Sequence, residues 1–75
     1  MPFIHIYAHS GRDMETKMKA AQAIVAAASE TLGAPESTFV VAFEDVERES
    51  WQSSVVQPII EPLRDKLLIE RGKPV

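Results

Sequence analysis

Pro2, Arg12 and Trp51 are the residues from which this sequence could build a small-molecule site. Once Met1 is removed, Pro2 carries a secondary amine on a rigid ring, and that amine is uncharged whenever it is deprotonated. An ordinary α-amine titrates near about 7.7 to 8.0, and an apolar pocket or a nearby cation lowers the value. A neutral base is then available at physiological pH, as general-base catalysis requires. Arg12 carries a planar guanidinium that can hold a carboxylate through two parallel hydrogen bonds; otherwise it is a solvated surface charge. Trp51, the only tryptophan, can wall off an apolar pocket, anchor a core or interface, or do both. His5 alternates with Phe3 and Tyr7 along one strand face and reads as a hydrogen-bonded structural histidine. His9 is loop-borne and a possible pocket residue, whereas Asp45, Glu47, Arg48 and Glu49 read as a solvated charged turn.

These residues need elements to position them. Pro2 to Ala8 is aromatic and β-branched enough for a strand, and His9 to Asp13 is a polar break. From Asp13, a plausible N-cap, the residues Met14, Met18, Ala21, Ile24, Val25, Ala28 and Leu32 recur at helical spacing, and Gly33-Ala34-Pro35 stops the helix. Thr38 to Glu44 reads as a second strand whose near-continuous hydrophobicity implies cover on both faces. Strand, crossover helix and strand make a β-α-β unit with parallel strands. Pro62 is a natural first-turn residue for a short helix through Leu63, Leu67 and Leu68, and Arg71 to Val75 is expected to fray.

Composition narrows the function classes. A chain of 75 residues with 45% hydrophobic content makes one domain, 1–75, and leaves much apolar surface for a partner subunit. A formal charge of -3 does not provide the basic face that nucleic acid demands. Without cysteine there is neither a disulfide framework nor a thiolate zinc site, and two histidines do not complete a metal shell, so metal chemistry is not expected. The longest apolar run, Ala23 to Ala28, is far too short for a membrane span, and the protein is expected in the cytoplasm.

The ordered set of Pro2 opening a strand, Gly11-Arg12, a long helix, Leu32-Gly33-Ala34-Pro35, a strand at Thr38 to Glu44 and an aromatic at Trp51 resembles the 4-oxalocrotonate tautomerase family. The resemblance implies an α+β fold: a β-α-β protomer whose dimer forms a four-stranded sheet with the helices packed on it. It also implies proton transfer on an enol, keto or 2-hydroxydienoate acid without a cofactor, with Pro2 as the catalytic base, Arg12 as the first arginine of the family pattern and Trp51 as the hydrophobic wall. The family's second arginine falls at Val40, which makes a dicarboxylate dienol doubtful as substrate. Beyond Trp51, the Gly-rich hairpin that builds family hexamers is missing. Glu49-Ser50-Trp51-Gln52 and a C-terminal helix are more similar to the dimeric bacterial subgroup, which points to a homodimer with that helix covering the sheet. Two other functions stay open. A protonated Pro2 could act as general acid in a hydratase, dehalogenase or decarboxylase, with Glu44 or Asp45 activating water, or the chain could be a non-catalytic oligomeric interaction domain.

Overall fold

The computed structural model describes all residues, 1–75, as two compact units, Met1–Asp45 and Val46–Val75. The N-terminal unit holds the β-α-β element. Strand β1 (Phe3–His9) leads into helix α1 (Met14–Leu32), and strand β2 (Val40–Val46) returns beside β1 in a two-stranded sheet. Val40 N–H donates to the Pro2 carbonyl at 3.0 Å, and His5 Nε2 reaches Glu44 Oε1 at 3.1 Å. Pairings near both strand starts and further along both strands advance together, so the strands run parallel, as a crossover helix requires.

Helix α1 begins and ends on the expected residues. Asp13 caps it by accepting a 2.8 Å hydrogen bond from the Thr16 N–H, and Gly33 closes it in the left-handed conformation at φ 70° with its N–H on the Ser29 carbonyl. Its packing stripe differs from the expected one. Ala21, Val25 and Ala28 are half-buried together with Lys17 and Ala20, whereas Met14, Met18, Ile24 and Leu32 remain exposed. Small alanines let the helix approach the sheet closely. Lys17 joins the stripe because its stem can lie on apolar surface while the ammonium snorkels outward: Nζ sits 5.6 Å from the Phe43 ring centre and 2.9 Å from Asp45 Oδ2.

Strand β2 starts two residues later than expected, at Val40 instead of Thr38. Pro35 opens a 3₁₀ turn over Glu36–Thr38, and the Thr38 hydroxyl donates back to the Pro35 carbonyl at 2.7 Å, which holds Thr38 out of the ladder. Asp45, expected in a solvated turn, lies inside β2 and is the ion-pair partner of Lys17.

The C-terminal unit departs further from expectation. After a 3₁₀ turn at Arg48–Ser50, the chain winds into a π-helix over Gln52–Ile60, and the Glu61 N–H bonds back to the Val56 carbonyl, five residues earlier. Pro58 explains the wide turn: it has no N–H to give, and its ring would strike the carbonyl of residue 54 in a regular α-helix. A 3₁₀-helix, Glu61–Lys66, follows with Pro62 in its first turn, but it stops before Leu67, which is extended, and Leu68 is 82% exposed. The tail does not fray. Ile69–Glu70 (β3) and Lys73–Pro74 (β4) pair antiparallel across an Arg71-Gly72 turn with φ values of 52° and 80°. Two successive positive φ angles match the right-handed twist of a tight hairpin, and Gly72 accepts that conformation freely. Val46 and Val55 are the only buried apolar side chains of the whole chain. No helix is long and apolar enough to cross a membrane.

Candidate active site

Pro2 stands immediately before β1 and is half-buried, its carbonyl tied to Val40 N–H at the start of β2. The residue beside the proline is therefore the apolar Val40, where the family pattern has a cation.

Arg12 lies in the loop between β1 and α1, just after Gly11, which adopts φ 125°. Its Nη1 donates to the His9 carbonyl at 3.1 Å, which restrains the guanidinium at the C-terminal end of β1 while leaving it exposed. Pro2 and Arg12 are thus at opposite ends of one strand. At roughly 3.3 Å per residue, β1 holds them about 20 Å apart, too far for both to touch one small molecule.

Trp51 belongs to the C-terminal unit, where it is half-buried at the junction of the 3₁₀ turn and the π-helix. It lines a cavity of about 560 Å³ together with Val56, Ile60 and Leu67, with the charged residues Arg64 and Arg71 also on the wall. Within this cavity Trp51 supplies the large flat apolar surface.

Of the remaining polar candidates, His9, expected in the loop, is the half-buried last residue of β1, and His5, Glu44 and Asp45 are each engaged. His5 Nε2 reaches Glu44 at 3.1 Å, and Tyr7 Oη lies 3.2 Å from His5 Nδ1, with the two rings stacked 4.1 Å apart. With the proton on Nε2, the imidazole donates to the carboxylate and accepts from the phenol, so both ring nitrogens are satisfied. His5 is the structural histidine expected from its strand position. Asp45 is held by Lys17. The second cavity of the molecule, about 450 Å³ between α1 and β2, is walled by Met14, Met18, Val25, Phe39, Val41 and Phe43 and is essentially apolar apart from Lys17, Gln22 and Glu36.

A tautomerase enzyme family matches residues 2–57, which takes in Pro2, Arg12 and Trp51. This chain belongs to the tautomerase family. Two curated relatives agree: the probable tautomerases of Bacillus cereus and Bacillus anthracis are each 37% identical over 51 residues, covering 68% of this chain and 84% of theirs. The match ends at Gln57, inside the π-helix, so the Pro58 to Val75 segment with its hairpin lies outside the matched region.

Sequence reasoning missed the terminal hairpin and with it Arg71. A signal was present in Arg71-Gly72, since Gly72 readily takes the positive φ that a tight hairpin turn requires.

Proposed function

We propose that this tautomerase, acting as a single domain over 1–75, is a cofactor-independent isomerase that moves a proton within an enol or keto acid, with the amine of Pro2 as general base once Met1 is removed. The observation that carries the reading is the position of Pro2: half-buried at the head of β1, with uncharged Val40 against its backbone. An amine in that setting gives up its proton readily because desolvation disfavours the ammonium form. In the reaction the neutral amine takes a proton from the enol hydroxyl or carbon acid, and the resulting ammonium returns it to the neighbouring carbon. Arg12 holds the carboxylate of the substrate, and Trp51 provides the apolar wall.

The functional unit is a homodimer. Because β1 separates Pro2 from Arg12 by about 20 Å, one chain cannot complete the site, whereas two antiparallel copies of β1 would set each Pro2 beside Arg12 of the partner subunit. The exposed Met14, Met18, Ile24 and Leu32 on α1 support the same reading, since a lone chain leaves them in water. The C-terminal segment replaces the hexamer-building hairpin of the family in this arrangement.

The hydratase and dehalogenase readings need a carboxylate that is free to activate water. Glu44 is engaged by His5 and Asp45 by Lys17, so the tautomerase reading is the better supported. It is tested by following phenylpyruvate enol-to-keto conversion with protein whose amino terminus has been verified by mass spectrometry. Conversion well above the buffer rate supports the proposal, and none above it rejects it.

A further inference from the structure

Arg64 and Arg71 are both on the wall of the Trp51 cavity, and they differ in one decisive respect. Arg64 is spent: Nη2 lies 2.6 Å from Glu61 and Nη1 lies 2.9 and 3.0 Å from the two oxygens of Glu70, and these hydrogen bonds hold its pKa above even the usual guanidinium range. Glu61 and Glu70, the acidic residues on the same wall, are consumed in that cluster. The Arg71 side chain makes no hydrogen bond or ion pair within the chain, and it is exposed. The cavity therefore holds an apolar slot against Trp51 and one guanidinium, that of Arg71, with no hydrogen-bonded partner of its own, on a wall whose formal charges balance.

The backbone adds a second, independent observation. Arg71 is the only non-glycine residue of the chain with a positive φ, at 52°. A tight hairpin favours Asn, Asp or Gly there, so arginine brings nothing to the turn itself and its cost is consistent with a role for the side chain.

We propose that Arg71 is a substrate-binding residue of the Trp51 cavity, gripping a carboxylate of an organic acid whose flat apolar body lies against Trp51. This rests on the reading of Trp51 as a wall of the substrate pocket. The guanidinium fork matches a carboxylate in two parallel bonds, and the neighbouring Arg64 cluster fixes the hairpin through Glu70 so that Arg71 is presented at a set position.

Trp51 is the sole tryptophan, so its emission reports on this cavity alone. Intact protein with a verified amino terminus is titrated with 3-phenylpropionate and, separately, with its neutral amide, at matched ionic strength. The acid should shift the emission saturably and bind more tightly than the amide. Arg71→Asn keeps a residue that accepts the turn conformation; it should weaken the acid about tenfold to a hundredfold and leave the amide unchanged, with Arg71→Lys between. Equal binding of acid and amide by the unaltered protein, or an acid affinity unmoved by Arg71→Asn, overturns the proposal. Loss of acid binding on Arg12→Ala with none on Arg71→Asn also overturns it, while leaving the proposed function intact. If acid binding depends on Arg71 but no enol acid is converted, the binding site stands and the proposed function falls.

Discussion

At the scale of single residues, the chemistry divides into groups already engaged and groups left available. Glu44 and Asp45 are engaged, so Glu44→Gln should leave tautomerisation close to the unaltered rate; a loss of several decades would restore the water-activating reading. Arg12 is only lightly held, through one bond to a backbone carbonyl, and its ends remain available to a ligand. Arg12→Ala should lower kcat/KM for an enol acid by about one to two decades through the lost charge-assisted pair, and lysine should recover only part of it. Steady-state kinetics on the two variants checks this. The residue types were legible in the sequence because a terminal proline, a loop arginine and a lone tryptophan each have few uses. The placement of Arg12 in the loop after the strand that Pro2 opens was legible too. Its consequence was not drawn from the residue list: the length of β1 keeps the two groups about 20 Å apart, so that a second copy is needed to bring such groups together.

Among the elements, α1 is the one whose ends are most firmly written in the sequence. The carboxylate of Asp13 is held below the usual range, first by its hydrogen bond with Thr16. A carboxyl whose pKa is lower folded than unfolded contributes stability above the unfolded value, near about 4, and loses it as pH falls through the folded value. Asp13→Ala should accordingly lower the melting temperature at pH 7, and the difference from the unaltered protein should shrink below about pH 4. Gly33→Ala forces a Cβ into the left-handed region and should cost about 1 kcal/mol, read by urea unfolding. The caps were predictable because each is a local event involving a few neighbouring residues. The helix face was not, since hydrophobic periodicity groups the large apolar side chains whereas the sheet selects the small ones plus the stem of Lys17. The segment after Trp51 was misread for another reason: Pro58 and Pro62 break a simple helix pattern, and a two-residue strand pair is too short to leave a periodic signal.

At the scale of the whole molecule, the account turns on shared sites and a free proline amine. If each site takes Pro2 from one subunit and Arg12 from the other, two inactive proteins should complement. Mixing Met1-retaining protein with processed Arg12→Ala, followed by subunit exchange, gives hybrids with one intact site; random pairing should restore about a quarter of full activity. No restoration after verified exchange would place both groups in one chain. A dimeric mass by light scattering at micromolar concentration is expected, and a stable hexamer would contradict the role given to the C-terminal segment. The most direct measurement compares processed and Met1-retaining protein on phenylpyruvate across pH. Retained Met1 turns the Pro2 nitrogen into a tertiary amide that cannot accept a proton, so that sample should be nearly inactive. The processed sample should show kcat/KM rising with pH to a plateau as its amine deprotonates below the ordinary range of about 7.7 to 8.0. Equal activity in the two samples would remove Pro2 from the mechanism.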